Sequence, residues 1–454
     1  MGSVQAITWY NGGFVMKSSW DFDLLEKYDK KICELAKGHG LDWFDIHYEV
    51  CDYYSMIGHM SYHGMPTHYG HWSFGKRFER THQMYNLGAE GLPYELIINS
   101  DPSIAYLMRE NPAYMQILIM AHCVGHSDFF KNNAKFAHTR PSSVIQRMRS
   151  AKKRIQGYVE NPSIGIEKVE KFLDAAHAVQ FQTYRTNMPR LTDREYKEGL
   201  VETILDLNPG EYVDPDDLEV FKPEYNILKF LREHGNLKDW EQDVLEIVED
   251  EAQYFLPQMK TKIMNEGWAS FWHYRLCHEL DLPQEYHIPM LKTHNQVVRP
   301  HIGGLNPYHL GFELFKKIEE RFGIEECFIA RETLEDSTFI MNYLTEEDCR
   351  DFGLFTFSKK RFKNKTSKYV IDNISDEDNW KFVKSTLLRN VGSSPLPVIF
   401  VDGIEAGNTL ILQHEHDGRD LELTYADEVV RHISYLWKGE VKFFTMVEGD
   451  TWEI

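Results

Sequence analysis

Residues 113–130, AYMQILIMAHCVGHSDFF, contain no Lys, Arg or Glu and one acid, Asp128, near the far end. Wound as a helix, this segment is apolar on most faces, so no side of it suits water and other elements must enclose it. That requirement constrains the fold more than any other feature of the chain. Asn111-Pro112 suits its start, a capping residue followed by proline at the first helical position. No stretch approaches 18 consecutive apolar residues, so no membrane span is expected.

Two histidines interrupt the apolar segment. His122 and His126 are four apart, share one helix face and can point at one ion. Zinc peptidases use this spacing in H-E-x-x-H, with a glutamate after the first histidine; here that position is Cys123. Three readings follow: a metal site without its usual base, another metal chemistry, or two core histidines bonded to backbone or water. Buried imidazoles need partners in each case. A thiol in an apolar helix has a raised pKa, so Cys123 reads as packing rather than as a nucleophile.

Glu266 is the carboxylate that fits. It sits in Asn265-Glu266-Gly267-Trp268-Ala269, close to Phe271 and Trp272, and such a residue is expensive to bury unless a cation faces it. His122, His126 and Glu266 make a three-ligand set that leaves one position open for water. His273, two turns beyond Glu266, fits a fourth ligand or an acid/base group, and His294 in LKTHNQVV is a further histidine in an apolar setting. Lacking the helix glutamate, a metal hydrolase needs a base from elsewhere; Glu49, on a strand-like segment, qualifies by residue type. Rival patterns are poorer. Only Glu79–His82 has the E-x-x-H spacing of a di-iron bundle, His59 and His63 are flanked by glycines, and G-x-S-x-G, Walker A and G-x-G-x-x-G are absent.

The pattern along the chain predicts an α+β protein in two parts: a large, mainly helical domain over 1–345 with a few short strands, then a small α+β domain over 346–454. Strands are expected over 42–51 and 93–100, peripheral helices over 141–206, and an internal break in the proline- and acid-rich 208–226. A long helical stretch over 239–280 should kink or divide at Pro257. From about 350 the order reads β-β-α-β-β-α-β. His414, Glu415 and His416 alternate across a strand there, so this domain should bind a partner or shield the larger one.

A net charge of -20 and a pI of about 5.5 repel phosphate backbones and anionic lipids, and no Lys/Arg-rich run stands out against them, so no nucleic-acid partner is expected. Six cysteines without a C-x-x-C, and an N-terminus unlike a secretory signal, suggest reduced thiols in a cytoplasm.

Taken together, HWSFGKRFER, YELIINSDPSIAYLM, MAHCVGHSDFFKNN, QYFLPQMKTKIMNEGWASFWHYR and GLNPYHLGFELF resemble the stage V sporulation protein R (SpoVR-like) family. The resemblance runs from about residue 20 to the C-terminus. It implies a bacterial, cytoplasmic protein linked to spore cortex formation or, in bacteria without spores, to envelope and stress physiology, with a serine protein kinase and a von Willebrand-type protein as candidate partners. The family pattern has H-x-x-G-H with no glutamate after the first histidine, so Cys123 is no lesion. His122, His126, Glu266, His273 and His294 match its motifs; His59 and His63 do not. The resulting expectation is a divalent metal, zinc, on His122, His126 and Glu266, with His273, His294 and Glu49 catalytic, in a hydrolase of amide or similar bonds. The alternative is a regulatory scaffold held by a structural metal or by a His/Glu network.

Overall fold

A computed structural model describes residues 20–86, 95–185, 191–207, 214–218, 220–301, 304–361 and 367–454. Helix α1 (Phe22–Gly38) opens where the Asp21 carboxylate accepts the Leu24 N–H at 2.8 Å, as a capping aspartate does. Strand β1 (Ile46–Cys51), helices α2 (Tyr53–Ser61) and α3 (Trp72–Asn86), and strands β2 (Glu95–Ile98) and β3 (Ser103–Met108) follow. The strands form one sheet in the order β1-β3-β2, with β3 parallel to β1 and antiparallel to β2. Sequence periodicity finds β1 and β2 but not β3, whose short SIAYLM run follows directly on Asp101-Pro102.

The apolar segment becomes helix α4 (Ala113–Asn132), in which every residue from Gln116 to Phe130 is buried. Helices α5 (Val144–Glu160), α6 (Ile166–Ala178), α7 (Asp193–Leu207) and α8 (Ile227–His234) lead to α9 (Asp239–Lys260) and α10 (Lys262–Glu279). The division expected near Pro257 falls at Thr261. The proline stays inside α9, its carbonyl accepts the Thr261 N–H and hydroxyl (3.1 and 2.8 Å), and the Asp336 carboxylate collects the Ile263 and Met264 N–H groups that open α10 (2.9 Å each). Helices α11 (Gln284–Val297), α12 (Pro307–Phe322), α13 (Ile324–Thr333), α14 (Asp336–Tyr343) and α15 (Glu346–Asp351) complete the helical part.

Beyond it come β4 (Phe355–Arg361), β5 (Ser367–Ile374), α16 (Trp380–Arg389), β6 (Val398–Glu405), β7 (Thr409–Glu415), α17 (Leu423–Trp437), β8 (Val441–Val447) and β9 (Asp450–Glu453). This is the α+β order the sequence predicts, with one extra strand. Strands β4 and β5 pair only with each other, while β6-β7-β8-β9 form a separate sheet. Two cores result. The first surrounds α4 with α1, α10, α12 and α14 and continues to Val391 after α16. The second joins α5, α6, α8 and α9 to β6–β8 and α17. The segment 141–206 is therefore not simply peripheral, since α5 and α6 supply about a quarter of the buried residues of the second core. The chain from 346 onward divides its packing between both cores.

Candidate metal centre

Helix α10 lies between α4 and α12, and glycines set how close it comes. A Cβ on Gly125 would sit 2.7 Å from the Ala269 Cα, and one on Gly267 would run into the backbone of Gly311. The G of H-x-x-G-H and the G after Glu266 are thus where helices touch backbone to backbone. This brings His122 and His126 from α4 onto the same spot as Glu266 from α10.

The His122 Nε2 lies 3.7 Å and the His126 Nε2 3.4 Å from Glu266 Oε2. A fourth group comes from β2, with Glu95 Oε1 3.5 Å from His122 Nε2. The ligand atoms of Glu95, His122, His126 and Glu266 all lie within 4.8 Å of one another, and the group could hold a metal ion. The separations are too long for good hydrogen bonds. His122 Nε2 and Glu266 Oε2 are in fact buried with no hydrogen-bond partner. Burial pushes the Glu266 carboxyl up, but His122 and His126 outweigh it and hold it well below the usual carboxylate range. Burial lowers His126, and Glu266 more than reverses that.

The other ring nitrogens are engaged. His126 Nδ1 is 2.8 Å from Asn265 Oδ1, to which it donates. His122 Nδ1 meets His273 Nδ1 at 2.8 Å, and His273 Nε2 meets His294 Nδ1 at 2.7 Å. Two nitrogens can share one proton only if one donates and the other accepts. If His122 keeps Nε2 free, its Nδ1–H donates to His273 and His273 Nε2–H donates to His294. Burial, then the neighbouring histidines, push His273 well below its ordinary value, and burial, then His278, takes His294 down to about 4. Both are neutral and stand behind His122 rather than among the converging ligand atoms. Below the site Asp128, on α4, accepts from Trp268 Nε1 (2.8 Å) and faces Arg331 (3.6 Å); burial raises its carboxyl to about 6.

The structure brings His122, His126 and Glu266 together and leaves Glu49 elsewhere. Side chains alternate along a strand. Ile46, Tyr48 and Val50 pack on the core that contains α4, so Glu49 takes the other face, where it is exposed and in register with Tyr106. Glu95 was missed by sequence reading. It lies in register with Leu107, a residue of the α4 core, and the signal was an acid two residues before Ile97 on the inward face of a short apolar strand. Cys123 is fully buried, and burial holds its thiol well above the ordinary value.

A second histidine–carboxylate cluster lies between the α2–α3 connection, α6 and α9. Glu251 Oε1 accepts from His68 Nε2 (2.7 Å) and Oε2 from the Tyr69 hydroxyl (2.8 Å), while His177 Nε2 donates to the Tyr69 oxygen (2.8 Å). His68 Nδ1 donates to the Tyr69 carbonyl at 3.1 Å. Burial raises Glu251, but His68 and then His177 pull it below the ordinary value.

A family model described as "SpoVR like protein" matches residues 19–395, and one described as "SpoVR-like C-terminal domain" matches residues 398–448. The chain belongs to the SpoVR-like family. A SpoVR-like relative in Escherichia coli (strain K12), "Uncharacterized protein YcgB", is 32% identical over 472 residues, covering 93% of this chain and 92% of its own length. No solved structure matches this SpoVR-like chain. Among the described residues, no helix is long and apolar enough to cross a membrane.

Proposed function

We propose that this SpoVR-like protein is a metal-dependent hydrolase of an amide or similar bond, with one divalent ion, zinc, on His122, His126 and Glu266. The observation that carries the reading is the pair of buried, partnerless atoms, His122 Nε2 and Glu266 Oε2. Zinc bonds of about 2.0–2.2 Å to N and O set tetrahedral neighbours about 3.3–3.6 Å apart, and the His122, His126 and Glu95 contacts here are 3.4–3.7 Å. Each histidine is oriented through its other nitrogen, as metal-bound histidines usually are. A zinc ion with an open position supplies an activated water. Glu95 comes from β2 to 3.5 Å from His122 Nε2, where it can accept a proton, and so fills the role that Cys123 vacates on the helix and that Glu49 was expected to fill. His273 and His294 fix the His122 tautomer.

Glu95 also favours a second reading. As a fourth ligand it would close the sphere, and a closed sphere suits a structural ion in a scaffold that engages the serine protein kinase and von Willebrand-type partners implied by the family. Elemental analysis and thermal midpoints of tag-free Glu95→Gln and Glu266→Gln separate the two. Metal kept in Glu95→Gln and lost in Glu266→Gln, with both midpoints nearly held, supports the hydrolase. Metal lost in both, with a falling midpoint, supports the scaffold. Wild-type protein without stoichiometric metal would end both.

A further inference from the structure

Three side chains outside the metal centre stand in the order nucleophile, base, orienting acid. Ser73, the second residue of α3, has its Oγ 2.8 Å from His71 Nδ1. Across the ring, His71 Nε2 lies 3.3 Å from Asp174 Oδ1 on α6. With Nδ1 accepting from the hydroxyl, the ring proton sits on Nε2 and faces the carboxylate. A triad of serine, histidine and aspartate is recognised by these roles and not by chain order. The two ring nitrogens are exchanged relative to the serine proteases, where Nε2 takes the serine proton. The contact of Nε2 with Asp174 is not a formed hydrogen bond; such contacts are often loose before substrate binds. Burial lowers His71, and Asp174 and Glu170 offset this only in part, so the imidazole is neutral and can accept a proton.

His71 also caps α3, since its Nδ1 meets the Ser73 N–H at 3.4 Å. Capping accounts for the contacts of Nδ1. It does not account for a carboxylate held against the other nitrogen of a side chain that is 2% exposed. Asp174 is itself held in place, because its Oδ1 accepts from the Trp72 indole N–H at 2.8 Å. Nor does capping account for the glycines on either side. A Cβ on Gly70 or Gly75 would meet nothing within 4 Å, and neither residue has a positive φ. In a helix, as at Gly75, glycine costs roughly 1 kcal/mol against alanine. Neither packing nor backbone conformation asks for glycine at these two positions, and what they leave is open space beside the triad. Trp72, half-exposed, gives an arriving molecule an apolar wall. The Trp72 N–H is the first of α3 and has no acceptor within the helix, and the positive end of a helix favours a developing oxyanion.

We propose that Ser73, His71 and Asp174 form a second, metal-independent site that hydrolyses carboxylic esters through an acyl-serine. Ser73 Oγ attacks the acyl carbon as its proton passes to His71 Nδ1. The bond from the acyl carbon to the alcohol oxygen breaks, and the alcohol leaves with the proton from His71. Water then attacks the acyl-serine by the same route, releasing the acid and restoring the hydroxyl. Asp174 faces the Nε2–H and stabilises the imidazolium in both steps. The test is the intact protein with a fluorophosphonate probe, read by peptide mass spectrometry. Ser73 Oγ should displace fluoride and carry one phosphonyl group, Ser73→Ala should carry none there, and a chelator should change neither. Asp174→Asn, which can still accept from Trp72, should slow labelling at least about tenfold with the thermal midpoint held. His71→Gln should slow it about 100-fold. Wild type should also turn over p-nitrophenyl acetate, and Ser73→Ala should not. Four results would overturn the proposal: a wild type unlabelled at Ser73; labelling there at a rate that Asp174→Asn and His71→Gln leave unchanged; ester turnover equal in wild type and Ser73→Ala; or labelling lost with the chelator. Neither labelling nor turnover at Ser73 passes through Glu266, so this site and the metal centre stand or fall separately.

Discussion

Two buried groups of histidine and glutamate lie in this protein, similar in composition and opposite in finish. Around Glu251 the contacts to His68 and Tyr69, and from His177 to Tyr69, are 2.7–2.8 Å. Around Glu266 the nearest ring nitrogens stand 3.4 and 3.7 Å away, and two buried polar atoms have no hydrogen-bond partner. Burial penalises an unmet polar atom by about 1–3 kcal/mol. The first cluster avoids that penalty within the chain; the second avoids it only if something else occupies the gap. Residue type does not tell the two clusters apart, and the spacing of their atoms does.

The sharpest way to break the comparison is metal content. His122→Ala and His126→Ala should lose essentially all bound metal in tag-free protein, while His68→Ala should keep it; metal loss in His68→Ala would erase the distinction. Stability should respond the other way. His68→Ala leaves the buried Glu251 carboxylate without the imidazole N–H that meets it at 2.7 Å, at an expected cost of about 1–3 kcal/mol by denaturant unfolding. A cost under about 1 kcal/mol would mean that this pair resembles an exposed one.

A smaller effect tests what sets the spacing at Glu266. Gly267→Ala must push α10 from α12, costing about 1–3 kcal/mol and weakening metal binding in titrations with a competing chelator. An unchanged metal affinity would show that helix contact does not govern the ligand distances. The smallest effect is in pH. Glu251 is lowered in the folded state, so its stabilisation is present above the unfolded carboxylate value of about 4.3 and is lost as pH falls through the folded one. The excess midpoint of wild type over Glu251→Gln should therefore hold from pH 7 to pH 5 and shrink below about pH 4.3. An excess that grows on acidification would reverse the sign.

The legibility of these features from sequence followed their locality. His122 and His126 are one turn apart on an apolar helix, and Glu266 stands in an aromatic run, so local pattern exposes all three. Glu95 needed the inward face of a strand whose central partner, β3, was not foreseen. Glu49 was chosen by type, although the Ile46-Tyr48-Val50 alternation already turns it away from α4. The bond between His68 and Glu251 spans 183 positions, beyond any periodicity.

The glycine contacts have a consequence for which ions the proposed metal site would accept. Where two helices meet through side chains, rotamers can shift and let a pocket widen. Where α10 meets α4 at Gly125 and α12 at Gly267 and Gly311, it is backbone that touches, and nothing there can be compressed or rearranged cheaply. In the proposed centre His122, His126 and Glu266 would then act as a gauge of nearly fixed aperture. An ion bonding at about 2.0–2.2 Å fits it, whereas calcium, which needs about 2.3–2.6 Å and six or more oxygens, should be turned away by size before charge is considered.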